Sequence, residues 1–301
     1  MITSNTIAPA GQSPQAPGTI PSIEELQRSY GFHHIPFELT DKTASLHMST
    51  ATRQLESELE QTAALRSVLL LTGAPGSGKS TQIKAWQARA DTKRHRIILV
   101  TQSSLTGSGV LETLLHKLGQ QPRMKRSSNL QLLERSLEEQ SPANVVLALD
   151  DAQNYLTHHL EEIRLLLGVG GRHRASLALI LMGDDSLLSL LRMTPQKALL
   201  SRIGSHIELT ALSPEETSTY LNWHTRHAGV EREIYTEAAR ELLHAASGGN
   251  PRLLNHLARS SWVRAATALQ TEVDPQHVTA AVRQIPAVRT IMENAGKPIR
   301  R

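Results

Sequence analysis

Residues 73–80 read Gly-Ala-Pro-Gly-Ser-Gly-Lys-Ser. The apolar run Val68-Leu69-Leu70-Leu71 precedes this stretch and predicts a buried strand, and residues 81–88 predict a helix directly after it. The glycines allow successive backbone N–H groups to turn toward one centre, and the amino terminus of the helix adds a partial positive charge there. The stretch therefore predicts a loop that cradles phosphate groups.

The side chains at the end of this loop indicate what it holds. Lys79 can reach the terminal phosphates of a nucleoside triphosphate, and the hydroxyl of Ser80 can ligate Mg²⁺. A glycine-rich turn can match this pattern by chance, but the strand before it, the helix after it and the Lys-Ser pair together favour nucleotide binding. The predicted nucleotide contacts in the loop are Gly73, Ala74, Pro75, Gly76, Ser77, Gly78, Lys79, Ser80 and Thr81.

A second apolar strand, residues 144–149, delivers two carboxylates, Asp150 and Asp151. Parallel α/β sheets bind their ligands at the carboxyl ends of the strands. We therefore predict that Asp150 holds Mg²⁺, directly or through water, and that Asp151 polarises the water that attacks the γ-phosphate. An apolar strand that ends in Asp is common by itself, so this prediction depends on its position after the phosphate loop.

Strands and helices alternate along most of the chain and predict an α/β fold with a parallel sheet covered on both faces. From Ser213 onward the pattern is helical only, because Ser213-Pro214-Glu215-Glu216 is a strong helix start and no strand pattern follows it. We predict a disordered segment over residues 1–21, a nucleotide-binding domain over 22–210, a helical lid over 211–286 and a basic tail over 287–301.

Composition excludes several kinds of site. The 301 residues include no cysteine, which excludes disulfides, thiolate zinc sites and cysteine nucleophiles. The longest apolar runs, such as residues 177–182, have the length of a strand, and the amino terminus has no signal-peptide pattern. We therefore expect a cytoplasmic protein without a membrane partner.

The net charge of +4 is unevenly distributed. Basic residues outnumber acidic ones between Asp91 and Arg126, which suggests a surface for a polyanion, although solvated basic loops explain the pattern equally well. The candidate contacts for such a polyanion are Lys93, Arg94, Arg96, Arg123, Lys125 and Arg126.

The order of these motifs resembles that of the AAA+ ATPases, and more closely that of the ATPase module of the general secretion pathway A family. Relatives of that module include the helper ATPases of DNA transposition, such as the Mu B and TniB proteins. The resemblance covers about Ser22 to Pro286 and implies a P-loop fold with a five-stranded parallel sheet and a carboxyl-terminal helical lid. The blocks that carry it are 30–32, 35–37, 151–154, 160–166, 212–217 and 247–255.

The resemblance implies roles for two arginines. Arg202 stands where such ATPases place an arginine that completes a neighbouring subunit's site, and Arg252 stands at the lid position that senses the γ-phosphate. The alternatives are a surface arginine before a strand for Arg202 and an ordinary helix-start arginine for Arg252. Arg164 is a candidate interface residue that a solvated helix face explains equally well.

Two departures from the family pattern lie at the predicted reaction centre. The family usually has Glu at the position of Asp151, whose side chain is shorter. The family has a polar residue at the end of its fourth strand, where this chain has Gly183. The next residue, Asp184, is a candidate substitute, but its negative charge near the phosphates would be unfavourable. These departures predict that hydrolysis is slow while binding is intact.

Several functions remain open at this point. Within this resemblance, the basic loops and the lack of a membrane segment favour an ATP-dependent transposition helper that assembles head to tail, binds duplex DNA through those loops without sequence preference and recruits a transposase. The alternatives are an assembly ATPase of the secretion-pathway A type without its membrane anchor, and a nucleotide-dependent scaffold with weak hydrolysis.

Overall fold

The computed structural model describes residues 21–38, 50–102, 105–169 and 177–289. The predicted disordered segment, apart from Pro21, and the predicted basic tail beyond residue 289 lie outside these ranges. Every site residue predicted from the sequence lies within them.

The centre of the molecule is a five-stranded sheet in the order β2-β3-β4-β1-β5, with every neighbouring pair parallel. This arrangement confirms the predicted fold class. The strands are β1 Val68–Gly73, β2 His95–Val100, β3 Asn144–Leu149, β4 Ala178–Gly183 and β5 Ile203–Leu209.

Helices connect these strands, as parallel pairing requires. No helix in the described ranges combines the length and the apolarity needed to cross a membrane. The helices up to the last strand are α1 Ile23–Tyr30, α2 Thr50–Leu65, α3 Lys79–Arg89, α4 Gly107–Lys117, α5 Arg126–Glu139, α6 Thr157–Leu166, α7 Asp185–Leu191 and α8 Lys197–Leu200.

Each face of the sheet carries its own apolar core because successive side chains of a strand point to opposite faces. Leu70 of β1 and Leu147 of β3 pack on one face with α4, α5, α6 and α7. Leu71 of β1 packs on the other face with Leu59 of α2 and Trp86 of α3. The central strands are therefore buried along almost their whole length and lack the alternation of a one-sided sheet.

The predicted helical region consists of α9 Pro214–His227, α10 Glu237–Ser247, α11 Pro251–Thr267 and α12 Pro275–Gln284. Ser213 and Glu216 form the predicted capping box at the start of α9. Val288 is fully buried in the core of this region, so packed structure continues past Pro286, where the predicted lid ends.

Helix α1 packs on the helical region, although the sequence assigned it to the nucleotide-binding domain. Leu26, Tyr30 and Phe32 belong to the same apolar core as Trp262 of α11. The rings of Phe32 and Trp262 meet edge to face at 5.4 Å between centroids. The chain start therefore joins the lid core, and the predicted boundary between residues 210 and 211 stays a prediction.

We predict that Trp262→Ala destabilises the protein by about 3–5 kcal/mol, since it leaves a large cavity in this core. Chemical denaturation followed by circular dichroism measures the change. The control is Leu65→Ala, at an exposed helix end, for which we expect a change of at most about 0.5 kcal/mol. Equal midpoints for the two variants would show that α1 and α11 do not depend on this contact.

Candidate nucleotide-binding site

The predicted phosphate loop joins the carboxyl end of β1 to the amino end of α3. Gly76 and Gly78 have φ angles of 88° and 100°, in the left-handed region that side chains disfavour. A Cβ atom at Gly76 would also lie 2.7 Å from Oδ1 of Asn250. The turn therefore requires both glycines, and the close approach of the lid is a second reason for glycine at position 76.

Lys79 lies inside the loop with only 7% of its surface exposed. Its Nζ donates hydrogen bonds to the carbonyl oxygens of Gly73, at 2.6 Å, and Ala74, at 3.2 Å. Burial lowers the pKa of Lys79, and the negative charges of Asp150 and Asp151 partly offset that effect. An anion bound in the loop would raise this pKa again, so the loop is suited to phosphate.

Ser80 and Asp150 meet at the carboxyl edge of the sheet. Asp150 directly follows β3 and is 8% exposed, and its Oδ2 accepts a hydrogen bond from Oγ of Ser80. Hydroxyl and carboxylate oxygens are the ligands that Mg²⁺ prefers. Oγ of Ser77 in the same loop is buried and has no hydrogen-bond partner within the described part of the chain. The donor set therefore fits a magnesium-bound triphosphate.

Asp151 lies next to this pair and is exposed. Its φ angle of 48° turns the chain sharply after β3, and its backbone N–H donates to Oδ1 of Asp150 at 3.0 Å. Nε2 of Gln153 donates to Oδ1 of Asp151 at 3.4 Å. Asp150, the predicted metal ligand, and Asp151, the predicted water-polarising group, are thus adjacent, but the first contacts Ser80 and the second contacts Gln153.

The end of β4 has no side chain, because its last residue is Gly183. Asp184, the substitute considered from the sequence, caps α7: its Oδ1 accepts a hydrogen bond from the backbone N–H of Ser186 at 2.9 Å. Asp184 therefore has a local structural role in addition to its weak electrostatic effect on Lys79.

The lid contacts the phosphate loop directly. Nδ2 of Asn250 donates to the carbonyl oxygen of Pro75 at 2.9 Å, and the backbone N–H of Arg252 donates to that of Gly76 at 3.3 Å. Asn250 also caps α11 by accepting from the backbone N–H of Arg252. The structure thus places Arg252 beside the loop, and its function as a γ-phosphate sensor stays a prediction.

A cavity of about 230 Å³ lies between the amino-terminal segment and α11. Phe37 adopts a φ angle of 62°, which is uncommon for a residue with a side chain. Asn255 is mostly buried and hydrogen-bonds Tyr220, and its Oδ1 has no partner among the described residues. Arg252 lines the cavity and also contacts the phosphate loop, so the cavity adjoins the loop and suits the nucleoside part of a nucleotide. Its lining is Phe37, Glu38, Arg252, Asn255, His256 and Arg259.

Arg202 lies away from its own phosphate loop. It precedes Ile203, which pairs with Val68 at the start of β1, whereas the loop begins at the other end of that strand. At about 3.3 Å per residue, β1 separates the two by roughly 17 Å. Arg202 therefore cannot contact a phosphate held by its own subunit, and its function at a neighbouring site stays a prediction.

Arg164 is engaged within its own helix. Its Nε donates to Oε2 of Glu161 at 2.8 Å, and this hydrogen bond lowers the pKa of Glu161. The charge of Arg202 lowers the same pKa, so both predicted interface arginines lie near one carboxylate. Their side chains therefore share one surface region of the subunit.

The six predicted DNA contacts divide into two groups at opposite ends of the sheet. The carbonyl oxygen of Arg94 accepts from the backbone N–H of Asn144, at the amino ends of β2 and β3. Arg126 forms an ion pair of 2.9 Å with Glu162 and lies 3.4 Å from Oγ of Ser108 in the first turn of α4, after the carboxyl end of β2. One subunit therefore does not present these residues as one continuous surface.

Gln153 and Asn250 are two site residues that we did not predict. A sequence signal existed for Asn250, since an Asn before Pro is a typical helix start. Gln153 lies in the block 151–154 that carries the family resemblance, but that block assigned it no role, because its position against Gly183 depends on which strands are neighbours.

We predict that Lys79→Ala abolishes nucleotide binding, because it removes the cation that offsets the charge of the terminal phosphates. Titration of a fluorescent ATP analogue measures the affinity. Lys84→Ala, at an exposed position of the same helix, is the matched control and should bind as the wild type does. Micromolar binding by Lys79→Ala would contradict the assignment of the loop.

Comparison with known proteins agrees with this geometry. Residues 62–191 match the family model described as an AAA domain. The chain is 26% identical over 270 residues to General secretion pathway protein A of Aeromonas hydrophila. That alignment covers 86% of this chain but 48% of the relative, so the chain spans about half of its length.

Solved structures share the fold at low sequence identity. The crystal structure of Cdc6p from Pyrobaculum aerophilum is 18% identical, with a TM-score of 0.64 over 86% of this chain and 71% of that one. The ORC1 protein of Aeropyrum pernix in complex with DNA is 16% identical, with a TM-score of 0.59 over 86% and 69%. Residues 62–191 thus match an AAA domain, and the chain shares with these structures the α/β P-loop fold of the AAA+ ATPases.

Proposed function

We propose that this chain is an ATPase whose site is completed by a neighbouring subunit and which acts on duplex DNA. The observation that carries the nucleotide part is the convergence of Lys79, the Ser80–Asp150 pair and the lid residues Asn250 and Arg252 on one loop. The adjoining cavity supports a bound nucleoside, and its volume of about 230 Å³ is adequate for a purine.

Ser80 and Asp150 are the residues that would hold Mg²⁺ together with the triphosphate. Bound there, the ion would neutralise charge on the phosphate oxygens. Lys79 would hold the terminal phosphates, and the lid would shield them from bulk water through the contacts of α11 with the loop.

Asp151 is the residue that we assign to hydrolysis. Asp151 would polarise the attacking water and take one of its protons while the water's oxygen bonds to the γ-phosphorus. The bond from that phosphorus to the bridging oxygen breaks, ADP leaves with that electron pair, and phosphate keeps the water's oxygen and its other proton. The exposed, short carboxylate of Asp151 supports slow turnover. A scaffold that binds ATP and scarcely hydrolyses it is the limiting case of this proposal.

The separation of Arg202 from its own loop supports assembly in a head-to-tail manner. If Arg202 acts at all on a phosphate, that phosphate belongs to another subunit. Such heterologous contacts generate rings or helical filaments. Nucleotide would then stabilise the assembly, and hydrolysis would set its lifetime.

Duplex DNA is the partner that we propose for this assembly. Arg123, Met124 and Lys125 are exposed at the tip of a loop near the phosphate edge, and Met124 is fully exposed. Asn129 holds this loop by accepting from the backbone N–H of Arg123 at 2.6 Å and donating to its carbonyl oxygen at 2.9 Å. A fixed, cationic loop suits the DNA backbone.

In this proposal the DNA-bound assembly recruits a transposase, as in the transposition helpers that the motifs resemble. The DNA complex of the ORC1 relative supports the DNA-binding part. The similarity to General secretion pathway protein A favours a second candidate, an assembly ATPase that does not bind DNA. DNA binding therefore distinguishes the two.

We predict that Arg202→Ala binds ATP normally and loses most of its hydrolysis, because an arginine finger stabilises charge only in the transition state. Mixing it with Lys79→Ala subunits should restore part of the activity, since each variant supplies the half-site that the other lacks. Phosphate release measures both. The control is Arg192→Ala, at another exposed position. Failure of the mixture to recover activity would contradict a shared site.

We predict that duplex DNA of arbitrary sequence binds at low salt and dissociates as salt rises. Replacing Arg123 and Lys125 by Ala should weaken binding and reduce the slope of log affinity against log salt by about 0.9 per lost phosphate contact. The control replaces Lys93 and Arg94 and has the same net charge. Fluorescence anisotropy measures binding. Absence of binding at low salt would favour the secretion-type assembly.

A further inference from the structure

Gln153 lies in a short helical turn, Ala152–Asn154, directly after Asp151. Ala152 is fully buried in the core on one face of the sheet and anchors this turn. The backbone N–H of Asn154 donates to the carbonyl oxygen of Asp151 at 2.9 Å. The side chain of Gln153 is thereby directed back toward Asp151, where its Nε2 donates to Oδ1 at 3.4 Å.

The carboxamide of Gln153 occupies the place that a side chain at the end of β4 would take. A Cβ atom built at Gly183 would lie 2.6 Å from Oε1 of Gln153 and 2.9 Å from Cβ of Leu187. Gly183 pairs with Thr72, the residue that precedes the phosphate loop. The polar group missing from β4 is therefore supplied, at the same edge of the sheet, by Gln153.

The oxygen of this carboxamide can accept a further hydrogen bond. Oε1 is buried and accepts no hydrogen bond from the described residues. Buried polar atoms usually have a partner, so an acceptor left free beside a phosphate loop indicates a role toward a bound reactant. Asp184 is not an equivalent candidate, because its Oδ1 is engaged at the start of α7.

We propose that Gln153 orients the attacking water together with Asp151, a role that rests on the proposed ATPase function. A carboxamide can accept a hydrogen bond from the water and donate one at the same time, and a Gln orients the attacking water in some GTPases. The water's oxygen bonds to the γ-phosphorus, one of the water's protons passes to Asp151, and the bond to the bridging oxygen breaks with its electron pair leaving on ADP. Gln153 gains and loses no proton, so it also adds no negative charge near the phosphates.

Gln153→Met is the test, because Met has a similar length and fills the space beside Gly183 without hydrogen bonding. We expect the turnover number for ATP to fall at least about tenfold, while the Kd of a fluorescent ATP analogue changes by less than about twofold. The Kd of ADP with aluminium fluoride, which resembles the transition state, should rise in parallel, and the Kd of ADP alone should not change.

Gln87→Met is the matched control. Nε2 of Gln87 donates to the carbonyl oxygen of Ile97 at 2.8 Å, in a purely structural hydrogen bond on α3. Its replacement is expected to alter thermal stability without selective loss of turnover or of the aluminium fluoride complex. A structural role for Gln153 would give the same pattern as this control.

The outcomes separate the two proposals. A wild-type chain that binds no nucleotide overturns the proposed function and this inference with it. A wild-type chain that hydrolyses ATP no faster than Gln153→Met overturns the inference alone. If wild-type turnover is too slow to measure, the affinity for ADP with aluminium fluoride decides, and equal values for the two proteins overturn the role of Gln153.

Discussion

Parallel pairing of β4 with both β3 and β1 brings three strand ends to one edge of the sheet. The phosphate loop follows β1, the carboxylates follow β3, and Gly183 ends β4. Because the strands are hydrogen-bonded in a fixed register, Ser80 and Asp150 meet although 70 positions separate them. The chemistry of the site therefore depends on this alignment, which the apolar cores on both faces stabilise.

The contact of α11 with the loop links the sheet to the helical region. Asn250 both caps α11 and donates to Pro75, so displacement of the loop displaces the start of that helix. Trp262, further along α11, lies in the core that also holds α1. A change at the phosphates can thus be transmitted to the helical region as a movement of one rigid helix, without a chain of weak side-chain contacts.

The charges around Lys79 are arranged for a strongly anionic ligand. Burial disfavours the ammonium ion, and Asp150 and Asp151 restore part of its stability. Arg252 acts in the opposite direction on the pKa of Lys79. Two cations held near each other and near acidic groups are stabilised further when a triphosphate enters, because its negative charges interact with both.

The sequence by itself determined the elements and the chemistry of the phosphate loop. A strand, a glycine-rich turn and a helix directly after it follow from local residue patterns, and the carboxylates after an apolar strand follow from the same kind of signal. The helical region was also predictable, because capping residues such as Ser213 mark where helices begin.

Only the tertiary structure decided which distant groups meet. In the structure, α1 packs on the helical region and the two basic loops lie apart. Arg202 lies at the opposite end of β1 from its own phosphate loop, and Gln153 contacts Gly183. Local propensity cannot determine such contacts, because they depend on strand order, on register and on which apolar surfaces find a partner. The loop's ability to bind phosphate therefore follows from consecutive residues, whereas the positions of the side chains and helices around the loop depend on long-range packing.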